Sequence, residues 1–577
     1  MIEFHPGFVL LIGALLAAVL PARARQAVMI LAPCLALFFV FILPDGMVVS
    51  HTFVKGLDLI VLKVDTLSRL FGMFFCVITL IGNIYAIRVK KRGESVGSLV
   101  YAGSCLGVVF AGDWLTLFLF WELMAVSSAF FILYSKTPQA IRAGLRYILV
   151  HFFSGNLLLF GIVFKAIAGQ TELSILSETG GAAYWLILLG VSINAAVIPF
   201  NAWLTDAYPE GTIGGTVFLG AFTTKVAIYC LMRIFPGTEL LIWIGVMMAI
   251  YGVVYALLEN DIRRLLSYHI VCQIGFIVAA VGIGTELALN GAALHAYGNI
   301  LFKSLLLMCV GAVIYTTGRR KLTDLGGIYK EMPVVVILYM VGAFAIAGVP
   351  LFNGFVSKAM IVSAAAESAP PAVGLLLNLV GLGTFLSICL KLPYFMFFGP
   401  DKGIRLRKKV PANMISAMAA SAFLCVLYGV VPALLDQHLL FDVRYQPYTW
   451  SHVISTIQFQ IAALAVFCIF LPKLAGKPTI SLDTDWFYRK PLNAFIFFIV
   501  HVTISLQAKA GVLGASMLRL MAPILQEQAY LRHLGKIRHG LFSPIFCKDH
   551  YWFPIGTVIF MLLLMFVGVF ANIFFHN

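Results

Sequence analysis

Two nine-residue stretches, AAVIPFNAW (residues 195–203) and AGVPLFNGF (residues 347–355), decide how this chain is read. Each lies inside a long apolar run, WLILLGVSINAAVIPFNAWL (185–204) and ILYMVGAFAIAGVPLFNGFVSKAMIV (337–362), with a proline, Pro199 or Pro350, in its middle. Proline removes a backbone hydrogen bond and clashes with the preceding turn, so both helices must kink or unwind. At membrane depth such breaks persist only where protein or water satisfies the freed groups. Each stretch falls in the fourth pass of a block of five, over 98–234 and 240–398. An odd number of passes per repeat forces opposite orientations, the plan in which ions bind near the midplane at discontinuous helices.

The rest of the chain agrees with a membrane setting. Of 577 residues, 61% are hydrophobic and 11% charged, and the mean hydropathy is +0.98, far from a soluble domain. Apolar runs of about 18 to 25 residues, each long enough to span a bilayer as a helix, recur from end to end. Strand alternation is absent, which argues against a β-barrel. The expectation is an all-α polytopic membrane protein of about sixteen transmembrane helices, built around two inverted five-helix repeats. N-terminal helices occupy 1–97, two further helices 399–475, and a lateral segment with a final pass 476–577.

The net charge of +15 does not point to nucleic acid, because the Lys and Arg sit in short loops between apolar runs. RVKKR (88–92), DIRR (261–264), GRRK (318–321) and KGIRLRKK (402–409) follow alternate passes. The positive-inside rule makes those loops cytoplasmic and puts both termini outside, in the cell's inner membrane. The first run, FVLLIGALLAAVLPARAR, carries its charges after the apolar stretch, so it reads as a retained helix rather than a secretory signal. Ten cysteines are scattered without a C-x-x-C pair, which suggests packing rather than a metal or cluster. No cofactor is expected.

Intramembrane charges are functional candidates by default. Glu122, Lys225, His295, Lys303 and Lys358 sit well inside apolar passes, and Lys391 lies nearer a cytoplasmic end where it can snorkel. Balanced between burial and neighbouring charge, such groups gain and lose protons as a neighbour changes, the chemistry of a proton relay. His295 and Lys303 are eight residues apart, roughly one helix face and about 12 Å. Water or a third residue must bridge them.

Taken in order, FWELM, PFNAWLTDAYPEG, TTKVAIYCLMR, DIRRLLSYHIVCQIGF, HAYGNILFKSLLL and GVPLFNGFVSK resemble the antiporter-like subunits shared by respiratory complex I and Mrp-type sodium/proton antiporters. The later tracts, with GGIYKEMP, look most like the D-type subunit. The resemblance implies a line of buried charges joined by water. Glu122 matches the family's glutamate on the fifth helix, Lys225 the basic residue on the eighth, and Lys358 the terminal residue after the break of the twelfth. His295 and Lys303 match the ends of an H-x-x-x-H-x-x-x-K pattern. This sequence departs from the family at Asn194, where a lysine is usual, at Asn299, the central histidine of that pattern, and at Thr205, a proline in WLPDA. Asn194, Asn299, His269 and Lys391 are further pathway candidates.

The resemblance further implies partner membrane subunits and transport of H+ with Na+ or another monovalent cation. Two alternatives remain beside that reading. One is a transport-impaired structural or proton-conducting subunit of a complex I-like, hydrogenase or inorganic-carbon-uptake complex, motivated by Asn194. The other is an enzyme, for which no nucleotide loop or nucleophile motif is present. After SLDTDWFYRKP (481–491), a lateral helix bracing neighbouring subunits competes with an extra pass at 494–506.

Overall fold

The computed structural model describes residues 4–475 except 55–56, 89–90, 177–180, 437–438 and 444, with scattered positions from 483 to 502. The chain divides into two compact units, Met1–Arg489 and Lys490–Asn577. All that follows concerns the first. The expected lateral segment and final pass lie outside the described residues.

Among the described residues, twelve helical spans are long and apolar enough to cross a membrane, and three shorter apolar helices accompany them. The expected count of about sixteen is not reached among these residues. Helices α1 (Pro6–Val19) and α2 (Ala22–Ile42) come first. An antiparallel hairpin follows, β1 (Val48–Val54) with β2 (Leu57–Lys63). This short hairpin accompanies an otherwise helical unit. Its register shifts twice, and LDLIVLK is a nearly continuous apolar run, so no clean alternation marked it.

Helices α3 (Thr66–Ala86), α4 (Arg92–Phe110), α5 (Trp114–Leu133) and α6 (Pro138–Ile167) lead into the first break. Aspartates cap two of them: Asp65 accepts from the Ser68 N–H at the start of α3, and Asp113 from Leu115 and Thr116 at the start of α5. Capping is the role short acceptors play at a helix N-terminus. Then α7 (Gly181–Asn194) stops, and α8 (Ala202–Ala207) resumes after Pro199. The second break has the same form: α14 (Pro333–Ala347) stops, and α15 (Asn353–Ser368) resumes after Pro350. Each gap holds a non-glycine residue in the left-handed region, Ala196 (φ 57°) and Leu351 (φ 75°). A side chain there is strained, so the surrounding helices must enforce both breaks.

Between them run α9 (Gly215–Ala221), α10 (Thr223–Ile234), α11 (Glu239–Leu258), α12 (Ile262–Ile283) and α13 (Glu286–Thr317). The opening of Lys225's pass is not one continuous helix, as the sequence suggested. It is interrupted at Phe222, between α9 and α10. The remaining helices are α16 (Pro371–Thr384), which continues with π-helical turns to Phe398, then α17 (Ala412–Val430), α18 (Ala433–Asp436) and α19 (Trp450–Leu474).

Burial orders these elements. The α9–α10 and α12 spans are 94% buried and α13 is 89% buried, whereas α19 is 11% buried. The centre of the unit is therefore α9–α10, α12 and α13. Helices α11 and α12 meet through small residues: a Cβ on Gly245 would stand 2.3 Å from Ala279 N, and one on Gly252 2.5 Å from Cys272 N. Only glycine allows backbones that close, the usual solution where lipid gives helices no hydrophobic reason to associate.

Ion pairs collect at the two ends of the bundle. At one end Arg146 pairs with Asp206 at 2.7 Å, Arg320 with Glu210 at 2.9 Å, and Arg320 also with Asp261. Burial disfavours the Arg320 charge, but Asp261 and Glu210 outweigh it and hold its pKa above the ordinary value. At the other end Arg69 pairs with Asp45 and Arg233 with Asp65.

Candidate functional site

At both breaks a backbone carbonyl accepts from a side chain. In the first, Ile193 O accepts from the Trp203 indole N–H at 2.9 Å. In the second, Ile346 O accepts from Lys358 Nζ at 2.7 Å. An ammonium at a freed carbonyl gains a charge-assisted hydrogen bond in a low-dielectric setting. Gly348 (φ +75°) makes room for it, since a Cβ there would stand 3.2 Å from Lys358 Cδ. Lys358 Nζ also lies 5.0 Å from the centre of the Phe276 ring.

Lys225 uses the third interruption in the same way. Its Nζ donates to Gly220 O at 2.7 Å and to Thr224 Oγ1 at 3.3 Å. The first N–H of α10, that of Thr223, donates to Tyr101 OH at 3.0 Å. Lys303 donates to Leu266 O at 3.0 Å. Among the described residues none of these three lysines stands within ion-pair distance of a carboxylate. Each ammonium has three donors and is held chiefly by backbone oxygen.

His295 is fixed at both ring nitrogens, by Ser357 Oγ at 2.9 Å and Gln273 Oε1 at 3.2 Å. It lies within electrostatic reach of Lys358 and Lys225, and Lys303 lies within reach of the same two. His269, bonded to Ser387 Oγ at 2.9 Å, is within reach of Lys303, Lys358 and Lys391. The structure thus gathers Lys225, His295, Lys303, Lys358, His269 and Lys391 into one buried array. Asn299, between His295 and Lys303 on α13, is fully buried with neither amide atom partnered.

Two placements differ from expectation. Lys391 does not snorkel: it is fully buried and donates to Leu257 O and to Glu259 O, the latter at 3.0 Å, at the C-terminus of α11. Positive charge there also suits the helix dipole. Glu122 stands apart from the array, with no charged group among the described residues in electrostatic reach, and its Oε1 has no partner.

Sequence reasoning missed several members. Gln273 and Ser357 orient His295 but are ordinary polar residues in apolar runs. His151, in LRYILVHFFSGN, is fully buried, and a lone mid-pass histidine is a signal that was there to be read. Asp483, from the SLDTDWFYRKP stretch, is also buried. It accepts from the Thr205, Tyr251 and Tyr268 hydroxyls, with Arg264 at 3.8 Å. Beside Lys358 lies a cavity of about 220 Å³, whose lining includes Ser363, His452, Thr456 and Gln460.

The site thus combines broken helices with lysines bound to carbonyls at the interruptions. Residues 111–387 match the transmembrane model of the NADH:quinone oxidoreductase/Mrp antiporter family. It is 29% identical over 405 residues to the A/B subunit of a probable K(+)/H(+) antiporter of Rhizobium meliloti, covering 64% of this chain and 40% of the relative. It is 28% identical over 427 residues to the A1 subunit of a Na(+)/H(+) antiporter of Staphylococcus aureus, covering 66% of this chain and 53% of the relative. The chain therefore spans about half or less of these two proteins. The motifs look D-type; both these relatives are A-type. In fold it is similar to a chain of the Mrp complex of Dietzia sp., with a TM-score of 0.73 at 22% identity, covering 98% of this chain and 66% of that one.

Proposed function

We propose that the chain is a proton-translocating, antiporter-like subunit of a multisubunit membrane complex, exchanging H+ for Na+ or another monovalent cation. The observation that carries this reading is the array of Lys225, His295, Lys303 and Lys358, in which two lysines are seated at helix interruptions. Protonated amines held by neutral carbonyls rather than carboxylates can give up a proton without leaving a buried anion behind. A proton arriving near Lys225 passes by way of His295 and Lys303 to Lys358, and leaves through the cavity beside it. His269, Asn299 and Lys391 lie along the array as auxiliary members.

The names of the two relatives support a monovalent cation as the exchanged ion. Any redox chemistry belongs to partner subunits. The placement of basic loops supports the inner membrane, with both termini outside. The two breaks support paired inverted repeats over 98–234 and 240–398, with 1–97, 399–475 and 476–577 as flanking parts. Asn194, standing where a lysine is usual, favours one other reading, a transport-impaired structural or proton-conducting subunit of a complex I-like, hydrogenase or inorganic-carbon-uptake complex.

Proton flux in vesicles carrying the assembled complex separates the two. Lys225→Ala and Lys225→Arg are expected to assemble yet lose flux, the second because arginine keeps its proton. Wild-type flux in both variants, with normal assembly, refutes the relay.

A further inference from the structure

The first half of the chain holds a cluster that the array above does not use. Glu122 Oε1 lies 1.8 Å from where a Cβ on Gly155 would stand, so the carboxyl occupies the side-chain space of residue 155 on α6. One turn earlier on that face is His151, fully buried. Residues i and i+4 of a helix carry Cβ atoms about 5–6 Å apart. The carboxyl therefore lies about one helical turn from the base of the His151 side chain. Asn194, the last residue of α7, is fully buried beside the ring and within hydrogen-bonding contact of it. Polar atoms of Glu122, His151 and Asn194 thus collect in a single buried region, where any left without a partner costs about 1–3 kcal/mol if dry. Polar surroundings of this kind hold water.

A set of rings and hydroxyls walls the region on the side of α10, the helix that carries Lys225. The Trp203 and Tyr147 rings pack on His151 at centroid distances of 4.6 and 4.1 Å. Tyr147 OH bonds Ser128 Oγ at 2.8 Å and stands near Thr223. Thr223 Oγ1 meets Tyr101 OH at 2.5 Å, two residues before Lys225 in the chain. A histidine serving only to fill space would need none of these hydroxyls.

We propose that His151 is the basic partner of Glu122, occupying from α6 the role that Asn194 cannot fill from α7, and that it passes protons between Glu122 and Lys225. The Glu122 carboxylic acid releases its proton through water to one ring nitrogen, leaving a carboxylate and an imidazolium. The other ring nitrogen then releases its proton along the hydroxyls to the Lys225 amine, which becomes ammonium as the imidazole returns to neutral. Glu122 is reprotonated from the aqueous side, and no other bond changes.

This inference rests on the pathway reading, so its test carries a readout that needs no transport. His151→Phe keeps the ring stacking and His151→Gln keeps the polarity. In vesicles carrying the assembled complex, each is expected to lower proton flux about tenfold or more. Adding Asn194→Lys to His151→Phe is expected to recover most of it. By infrared difference against Glu122→Gln, the Glu122 carboxyl absorption is expected to shift in both single variants. Wild-type flux in both, or an unmoved Glu122 absorption in both, overturns the proposal. If the wild-type complex itself moves no protons, the pathway reading fails while the infrared comparison still decides the contact.

Discussion

Replacing Gly155 by alanine puts a methyl group on the Glu122 carboxyl. The three atoms nearest to a Cβ at 155 all belong to Glu122, at 1.8, 2.9 and 3.5 Å. Contacts under 3.0 Å do not persist, so Oε1 must retreat by about 1.2 Å. The obstacle is the far end of a flexible side chain, so the backbone has no reason to move. Alanine also gains up to about 1 kcal/mol over glycine within a helix. Stability should stay level or rise while function falls. A shift of about 1 Å in a reacting group can cost roughly 100-fold in rate, so flux is expected to drop by about 10- to 100-fold. Shortening the acid by one carbon–carbon bond, about 1.5 Å, withdraws it from the methyl. Gly155→Ala with Glu122→Asp should therefore regain part of the loss. Vesicle flux, set beside the melting temperature of the detergent-solubilised protein, checks both halves. Unchanged flux in a stable, assembled Gly155→Ala complex refutes the placement of Glu122 on the pathway.

Three further outcomes are expected. Burial raises the Asp65 pKa, but Arg233 and the hydrogen bonds from Ser68 outweigh it and the net value is lowered; a depressed carboxylate stabilises above its unfolded pKa of about 3.9 and loses that contribution as pH falls through the folded value. Melting curves of wild type and Asp65→Asn should therefore differ at neutral pH and converge in acid. Tyr101→Phe leaves the Thr223 N–H without its acceptor and should cost about 1–3 kcal/mol in a denaturation assay. Ala196→Gly relieves the positive φ at the first break and should raise stability by up to about 1 kcal/mol, a gain that calorimetry can read.

The two breaks were legible because proline among small residues within an apolar run admits few conformations. The lysines were legible because a charge stands out from such a run. Histidine does not stand out to the same degree, and His151 was passed over. The hairpin was hidden because its second strand reads as a short buried segment, and the interruption at Phe222 because no proline or glycine marks it. The partners of His295 come from Gln273 and Ser357, 22 and 62 residues away. No local pattern encodes such pairings; only the packed helices bring them together.

The Asp483 carboxyl joins parts of the protein made at very different times. It accepts from Thr205 and Tyr268, which precede it by 278 and 215 residues. At ribosomal speeds of about 5–20 residues per second, Tyr268 waits roughly 10 to 40 s for that acceptor. During that interval the hydroxyls of Thr205, Tyr251 and Tyr268 and the guanidinium of Arg264 share a site without the anion that later binds them. Synthesis thus carries a late marker: the Asp483 bonds to α8, α11 and α12 are added only after helices that already pack together have been made, and a chain cut short of residue 483 leaves that knot untied.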